Sequence, residues 1–325
     1  MSSPSSASVA VIDIGSNSIK SLVAVREIAG GVQSLHAQTI EARISAGISA
    51  ARPQLSEEGM ARGVDAVRTL LAEVSAFSPQ KIVLVATSAV RDAQNGADFR
   101  QRVLAATGHP IRLLDGEEEA ALIGRGLTCD PALAALRDFY VFDLGGGSME
   151  CLAFRDRRVA AAVSLQLGCV RLTETFIASS ETPISPAAIA AIADHTRAEL
   201  VRAGFRFALP GGATAVGTGG TVATARAIFG LDAGKPFEAS SPFVPLEQLR
   251  TLLSQLAALP IAERCLVPGL KSGRADVFPT ALATLIAVAE TGRFAGFQHS
   301  IYNLRFGLAD EQFSELGLAR LDQLR

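Results

Sequence analysis

The sequence predicts an α/β fold built from two similar halves, and three features of the chain support this. Its 325 residues are too many for one ordinary core and suit two domains. Apolar runs of strand length alternate with segments of helical spacing. The stretch VIDIGSNSIK, which begins at Val11, returns in outline as VFDLGGGSME from Val141. The layout therefore indicates an internal duplication.

The first half is predicted to alternate strands with helices. Ser56 is the expected N-cap of the first long helix, and the acidic Glu57 and Glu58 suit its first turn. Gly108 is expected to end the second helix. The predicted strands are 9–14, 19–25, 32–40, 81–87 and 111–114, and the predicted helices are 55–77, 97–106 and 117–127.

The second half is predicted to repeat this order. Its predicted strands are 140–144, 150–154, 158–165 and 215–218, and its predicted helices are 186–203 and 221–229, with a mostly helical remainder from 246. We expect a first domain at 1–125 and a second domain at 126–299. Residues 1–8 are expected to be a disordered tail.

Composition argues against several classes of function. A net charge of −2 argues against a diffuse basic surface for duplex nucleic acid, and the absence of Trp argues against a stacking platform for single strands. The four cysteines show no CxxC pairing and are typical of reduced thiols. No apolar run approaches the roughly 18 residues of a membrane span. We expect a cytoplasmic protein with neither a membrane nor duplex nucleic acid as a partner.

The repeated turns are suited to binding phosphate. Asp13 and Asp143, 130 residues apart, each end an apolar run and precede a small Gly/Ser turn. Backbone N–H groups of such a turn can converge on an anion, and the carboxylate beside them can bind Mg²⁺. Glycine-rich turns also simply join hairpin strands. Two matched turns, with a third at GTGGT that contains Gly219 and Gly220, favour phosphate binding.

Six segments in the same order resemble the exopolyphosphatase / guanosine pentaphosphate phosphohydrolase (Ppx/GppA) family of the actin–hexokinase–Hsp70 superfamily. They are VIDIGSNS, ATSAVRDAQNG, DGEEEA, VFDLGGGSME, SLQLGCVRLTETF and GTGGTVATARA. The resemblance covers about 9–308 and is closest to the short form of the family. It implies two actin-like (ribonuclease H-like) domains with an active-site cleft between them, and it is compatible with a homodimer. It also implies that C-terminal helices at about 300–325 return to the first domain.

The resemblance also implies roles for carboxylates. An acidic run at 117–119 ordinarily stabilises a helix dipole, but the family motif makes Glu119 the residue that activates the attacking water. Asp143 and Glu150 flank the GGGS turn and are the implied Mg²⁺ ligands, with Asp13 as a second-tier metal or water ligand. Both carboxylates of the second turn can reach one cleft if the turn forms a hairpin.

The remaining candidates are a second catalytic residue and the residues that bind substrate phosphate. Arg91 occupies the family's T-x-x-x-R position, which implies a catalytic guanidinium that holds phosphate; the alternative is a surface arginine paired with Asp92. Arg43 and Arg171 are weaker candidates for further phosphates, and each could equally be an ordinary surface arginine. The expected turn contacts are Ser16, Asn17, Ser18, Gly145, Gly146, Gly147, Ser148, Gly219 and Gly220.

Three stretches depart from the family pattern. Met149 stands where a small polar residue is usual, ISAGIS replaces Arg-Leu-Gly-x-Gly-Leu, and NLRFGL replaces Gly-Leu-Arg-x-Gly-Leu. None of them removes a residue assigned to catalysis. They leave the choice of substrate open.

Three functions remain in view. The leading one is a Mg²⁺-dependent hydrolase that removes terminal phosphate from inorganic polyphosphate, from guanosine penta- or tetraphosphate, or from both. The second is an actin-fold kinase that uses ATP, which the phosphate turns fit equally well but the DGEEEA motif disfavours. The third is a polyphosphate or alarmone sensor without efficient turnover.

Overall fold

The computed structural model describes residues 7–27 and 31–318, which form two compact units. The first unit runs to Ala135 and resumes at Tyr302, and the second spans Leu136–Ile301. The predicted division at 125 lies inside a helix that continues to Leu127. Most of the predicted N-terminal tail lies outside the described residues, but Ser8 belongs to the first strand because it pairs with Val25.

The first unit contains a five-stranded mixed sheet with helices packed on it. Its strands are β1 (Ser8–Ile14), β2 (Ile19–Arg26), β3 (Val32–Ile40), β4 (Lys81–Ala86) and β5 (Ile111–Leu113). Its helices to this point are α1 (Glu57–Ser75), α2 (Ser88–Asp92), α3 (Gly96–Thr107), α4 (Gly116–Leu127) and the 3₁₀ turn Pro131–Leu133. The strand order is β3-β2-β1-β4-β5.

Local signals in this unit give the structure the sequence predicts. The Ser56 hydroxyl accepts a hydrogen bond from the Gly59 N–H at 3.0 Å and caps α1. Gly108 ends α3 with a φ of +74°, in the left-handed region that glycine enters at little cost. The short helix α2 was not predicted, since its five residues carry too little pattern to identify a helix.

The second unit contains a six-stranded sheet. Its strands are β6 (Phe139–Leu144), β7 (Met149–Arg155), β8 (Arg158–Leu165), β9 (Thr214–Thr218), β10 (Phe243–Pro245) and β11 (Gly296–His299). Its helices are α5 (Cys169–Phe176), α6 (Pro186–Arg202), α7 (Gly219–Asp232), α8 (Leu246–Ala257), α9 (Ile261–Arg264) and α10 (Phe278–Gly292), with 3₁₀ turns at Phe237–Ala239 and Ser272–Arg274. The strand order is β10-β11-β9-β6-β7-β8.

The duplication is visible in the topology of the sheets. The order β8-β7-β6-β9-β11 in the second unit matches β3-β2-β1-β4-β5 in the first. In both units the second and third strands share a β-bulge, between Val23 and Ala24 on β2 and between Ala153 and Phe154 on β7. Each bulge begins ten residues after the aspartate of its turn. The predicted α/β class with two actin-like domains is confirmed, and the cleft between them stays a prediction.

Several elements of the second unit were not predicted. The prediction of a mostly helical remainder from 246 missed β11, and β10 was also missed, because strands of three or four residues are fixed by pairing with neighbours rather than by local pattern. Helix α5 was missed because its sequence CVRLTETF is rich in β-branched residues. Helix α10 lies in the core, with Phe278 to Ala289 all buried, as its apolar run predicts.

The chain returns to the first unit through α11 (Leu304–Glu315), which packs closely on α4. A Cβ on Gly126 would lie 2.1 Å from the Asn303 carbonyl oxygen, and one on Gly307 would lie 1.9 Å from that of Leu122. Both contacts are with backbone, which cannot move aside. Only glycine at these two positions allows α4 and α11 to pack this closely.

A buried carboxylate also holds α11 in place. Asp310 has a fully buried side chain that accepts hydrogen bonds from Arg26 Nη1 at 2.7 Å and from Arg125 Nε at 2.6 Å. The Arg26 guanidinium also lies 4.8 Å from the ring centre of Phe313. This network joins β2, α4 and α11.

Among the described residues, no helix combines the length and apolar composition that crossing a membrane requires.

Candidate active site

The first of the two predicted phosphate-binding turns is the GSNS connection between β1 and β2. The Gly15 N–H donates to the Ser18 carbonyl at 3.2 Å, and Asp13 pairs across the hairpin with Lys20. Asn17 is buried, and neither its amide nitrogen nor its amide oxygen has a hydrogen-bond partner among the described residues. A buried amide left in this way is costly unless a ligand or water completes it. The turn therefore offers a polar group to a bound molecule.

Serine side chains from two other segments hold this turn. The Ser16 hydroxyl lies 3.2 Å from the hydroxyl of Ser88, which begins α2. The Ser45 hydroxyl donates to the Ser16 carbonyl at 3.1 Å. Ser45 lies in the ISAGIS stretch that departs from the family pattern, so this stretch supports the turn despite its changed letters. Neither Ser45 nor Ser88 was predicted, because a lone serine gives no signal of its partner.

Asp13 stands at the end of β1 in a buried setting. Burial raises the pKa of its carboxyl above the ordinary value of 3.8, while the positive charges of Lys20 and Arg305 lower it. Loss of hydration is the largest of these effects. Ionisation of this carboxyl therefore lowers the stability of the folded protein.

Arg43 follows β3 and adopts the left-handed conformation at a φ of +45°. Its N–H donates to the Asn17 carbonyl at 3.0 Å, which places its backbone against the first turn. Arg62 of α1 stabilises this conformation by donating to the carbonyls of Ala42 and Arg43, each at 3.0 Å. The structure thus brings the backbone of Arg43 against the first turn.

Arg91 and Glu119 are the two predicted catalytic residues, and they are in direct contact. Arg91 Nη1 lies 3.1 Å from Glu119 Oε2 and donates at 3.0 Å to the carbonyl of Leu114. The predicted alternative partner, Asp92, is also near, with 3.5 Å from its Oδ1 to Arg91 Nε. Arg91 therefore both contacts Asp92 and orients Glu119.

The three glutamates at the start of α4 have different environments. Asp115 and Glu118 form a capping box, in which the Asp115 carboxylate accepts from the Glu118 N–H at 2.8 Å. Glu117 is exposed. Glu119 is only 6% exposed. A buried carboxylate held by a guanidinium is unusual in an acidic first turn, which marks Glu119 as the one with a separate role.

The second predicted phosphate-binding turn is the GGGS connection between β6 and β7. The Gly145 N–H donates to the Ser148 carbonyl at 3.0 Å, as the Gly15 N–H does in the first turn. The N–H groups at the start of α5 donate to this turn, from Cys169 to Gly145 at 3.0 Å and from Val170 to Gly146 at 2.8 Å. Helix α5 forms here because the turn satisfies its first donors.

Close backbone contact fixes the turn on α5. A Cβ on Gly168 would lie 2.2 Å from the carbonyl carbon of Gly147 and 2.3 Å from that of Gly146. Arg171 donates from Nε to the Gly147 carbonyl at 3.0 Å, which places its guanidinium beside the turn. Met149 is fully buried in the apolar core of this unit. The methionine that departs from the family pattern therefore fills the core and does not line the turn.

Asp143 and Glu150 are directly opposite each other in the β6–β7 hairpin. Glu150 is 2% exposed and its Oε1 accepts from the Ser164 hydroxyl at 2.8 Å. Within the described parts of the chain, no group of three or more His, Cys, Asp or Glu side chains is placed to bind one metal ion. Two hard oxygen donors still fit Mg²⁺, which commonly takes one or two carboxylates and keeps several waters.

The third turn lies beside Asp143. Gly219 has a φ of +80°, and a Cβ on it would lie 2.3 Å from Asp143 Oδ1, so only glycine leaves room for the carboxylate. A Cβ on Gly220 would lie 2.3 Å from Arg274 Nη1. Arg274 Nη2 is 3.5 Å from the Thr221 hydroxyl, and its Nε is buried without a hydrogen-bond partner among the described residues.

Arg274 is thus a cation at the site that the sequence did not predict. Its charge lowers the pKa of Cys169, which burial raises overall, so it also lies within electrostatic reach of the start of α5. Nothing in the letters KSGRAD identifies it, because the segment reaches the turn only in the folded unit. The predicted residues of this unit, with Arg274 added, gather around two glycine-rich turns.

Comparison with known proteins agrees with this arrangement. The profile of the Ppx/GppA phosphatase family matches residues 23–314, and the chain belongs to this family. The predicted resemblance is confirmed. The chain is 31% identical over 321 residues to the guanosine-5'-triphosphate,3'-diphosphate pyrophosphatase of Vibrio vulnificus, with 97% of this chain and 61% of that protein covered. The protein of the same name from Aeromonas salmonicida is 32% identical, with 87% and 54% covered.

The chain therefore spans little more than half the length of these curated relatives. Two solved structures of exopolyphosphatase or PPX-GPPA proteins match over nearly their whole length. A crystal structure of an exopolyphosphatase from Cytophaga hutchinsonii is 21% identical, with 96% of this chain and 98% of that chain covered and a TM-score of 0.85. The Aquifex aeolicus PPX-GPPA enzyme is 23% identical, with 93% and 98% covered and a TM-score of 0.73. At these identities the likeness concerns the fold.

Proposed function

We propose that this protein is a Mg²⁺-dependent hydrolase that removes the terminal phosphate of inorganic polyphosphate, of pppGpp, or of both. The observation that carries the proposal is the buried Glu119 in contact with Arg91. A carboxylate held in this way can orient a water molecule and accept its proton. Phosphoryl transfer mainly requires a positioned nucleophile and the neutralisation of developing charge.

In this proposal Glu119 directs a water at the terminal phosphorus, in line with the bond to the next phosphate. The guanidinium of Arg91 neutralises charge that develops on the phosphoryl oxygens. The turn residues of each unit contact the phosphate; they are Ser16, Asn17, Ser18, Gly145, Gly146, Gly147 and Ser148. The side-chain amide of Asn17, which has no hydrogen-bond partner in the described part of the chain, supports this assignment for the first turn.

Asp143 and Glu150 would hold the Mg²⁺, with Asp13 as a second-tier ligand. The metal would supply positive charge for the phosphate oxygens. The hydroxyl of Ser164 fixes Glu150 Oε1 at 2.8 Å and so orients this carboxylate. Arg171, Arg43 and Arg274 are proposed contacts for further phosphates, with Gly219 and Gly220 leaving room near the third turn.

The names of the relatives support the two substrate classes. Two relatives are named for guanosine-5'-triphosphate,3'-diphosphate and one structural neighbour is named an exopolyphosphatase. Both classes end in a phosphoanhydride that the same atoms can receive. Which of the two is preferred depends on the parts of the site beyond the terminal phosphate.

Phosphate release tests the proposal. Purified protein with Mg²⁺ is given long-chain polyphosphate, tripolyphosphate and pppGpp in parallel, beside Glu119→Gln and the control Glu117→Gln. We expect Glu119→Gln to lose at least about 100-fold in kcat, because it removes a general base. Glu117 is exposed on the same helix start, so its variant should keep the wild-type rate.

Equal rates in the two variants would contradict the role of Glu119. Absence of release from all three substrates would contradict the hydrolase proposal. Stabilisation by Mg-ATP would then favour a kinase, and tight binding of polyphosphate without release would favour a sensor.

A further inference from the structure

The hairpin that joins β7 to β8 ends in the sequence RDRR and has a strained tip. Asp156 and Arg157 both have positive φ, at 51° and 61°. Two successive left-handed residues make the type I′ turn that suits a two-residue hairpin, where Asn-Gly is the usual choice. For Arg157, which has a Cβ, this conformation is unfavourable. Strain of this kind invites a search for function at the tip.

Neighbouring groups hold the tip in one conformation. The Asp156 carboxylate accepts from Arg137 Nη2 at 2.6 Å, and the Asp156 N–H donates to Asp138 Oδ1 at 2.9 Å. Arg157 Nη1 donates to the Leu136 carbonyl at 3.0 Å. Asp156 thus neutralises Arg137, and Arg157 is committed to the backbone.

The two remaining arginines are in a different position. Arg155 and Arg158 pair directly across the hairpin, and both are exposed. No carboxylate among the described residues forms an ion pair with either of them. Like charges placed opposite each other repel, and their Cβ atoms are about 5 Å apart in such a pair. An anion between the two guanidinium groups would remove this repulsion and could be bound by both forks.

The position of this pair relative to the carboxylates defines the length of the ligand. Glu150 and Arg155 lie near opposite ends of β7, five residues apart, which corresponds to about 17 Å at the rise of a β-strand. Because five is an odd number, the two side chains lie on opposite faces of the sheet, so a ligand that reaches both must also pass around the edge strand β8. A tripolyphosphate is too short for this path, whereas a long phosphate chain can follow it.

We propose that Arg155 and Arg158 form a second anchoring point for long-chain polyphosphate, away from the end that is cleaved. This inference rests on the proposed function and selects inorganic polyphosphate as the substrate class. The exposed arginine pair holds a distal phosphate of the chain while the terminal phosphate lies at the glycine-rich turns.

Binding measured in EDTA tests the inference without turnover. The affinities of wild type and Arg155→Ala/Arg158→Ala for long-chain polyphosphate and for tripolyphosphate are compared over a range of salt concentrations. We expect the double variant to lose several-fold in affinity for the long chain only. The slope of log K against log salt concentration should fall by about 1.4, because each neutralised phosphate of a flexible polyanion contributes about 0.7.

The control is Arg100→Ala/Arg206→Ala, which removes the same charge from two other exposed positions. An equal loss in the control, or an equal loss for tripolyphosphate, would overturn the inference in favour of general attraction. So would failure of the wild type to bind the long chain. Binding with the expected losses but no phosphate release would refute the proposed hydrolase and leave this anchoring point intact.

Discussion

The β1–β2 and β6–β7 hairpins share one backbone arrangement, but the residue opposite the aspartate differs between them. Both close with a bond from the first glycine N–H to a serine carbonyl, and both place an aspartate at the end of the first strand. Asp13 faces Lys20, whereas Asp143 faces Glu150. A carboxylate beside an ammonium is partly neutralised, but two carboxylates together favour a divalent cation. Duplication thus supplied two turns, and the partner residue set their chemistry.

The two turns are also held in different ways. Side chains of Ser88 and Ser45 hold the first turn, through contacts of 3.2 and 3.1 Å. The start of α5 holds the second turn through backbone bonds, with Gly168 packed against it. Backbone contacts leave less room for adjustment than hydroxyl groups do, so we expect the second turn to be the more sensitive to substitution.

Substitution of the residues opposite the two aspartates should give the largest effect. Glu150→Gln removes one of two proposed metal ligands and should lower phosphate release by about 1,000-fold at fixed Mg²⁺. Lys20→Gln changes the equivalent position of the first hairpin and should cost far less. The rates and their Mg²⁺ dependence measure the difference. Similar losses in the two variants would mean that the hairpins are not chemically distinct.

Substitution of the glycine beneath the second turn should be nearly as severe. Gly168→Ala places a Cβ 2.2 Å from backbone and should lower the free energy of unfolding by about 3 kcal/mol. Gly15→Ala is a milder control in the first turn, because its Cβ would lie 3.1 Å from the nearest atom. Denaturant unfolding measures both. A smaller loss for Gly168→Ala than for Gly15→Ala would contradict the proposed difference in support.

Loss of a serine support in the first turn should be modest. Ser88→Ala removes the hydroxyl 3.2 Å from that of Ser16 and should cost about 1 kcal/mol of stability. We also expect KM to rise more than kcat falls, because the turn is proposed to bind phosphate. Ser75→Ala, which removes a hydroxyl bonded only to its own helix, is the control. A change in kcat alone would argue for a direct chemical role of Ser88.

The smallest expected change is in the pH dependence of stability when Asp13 is substituted. Because burial raises the pKa of this carboxyl in the folded protein, its ionised form costs stability. The cost is absent below the ordinary value of 3.8 and develops as the pH rises through the raised pKa. Asp13→Asn should therefore be more stable than wild type at neutral pH, and this gain should vanish in acid. Unfolding of both proteins across pH would reveal it, and a variant gain that persists below pH 3.8 would rule out ionisation as its cause.

Much of the site followed from local sequence. The seven-residue spacing of Asp143 and Glu150 around GGGS predicts opposition in a hairpin, because the period of a strand is two and the turn is short. The acidic run at 117–119 did not by itself distinguish its members. The capping box uses Glu118, and only burial against Arg91 separates Glu119 from its neighbours.

Arg274 and Ser164 are site residues that sequence patterns could not identify. Arg274 approaches Gly220 from 54 residues away, and Ser164 reaches Glu150 only because β8 pairs with β7. Neither has a periodicity or a motif of its own. Their positions result from the pairing of distant segments, which no local pattern encodes.

The sequence alone determined the repeated strand-and-turn, the caps of α1 and α3 and the chemistry of each turn, because these depend on residues within a few positions of one another. The tertiary structure decided which glutamate is buried, which arginine lies against the third turn and which glycines must lack a side chain. These properties arise from contacts between segments far apart in the chain, where the available space and the loss of water are fixed only once both segments are in place.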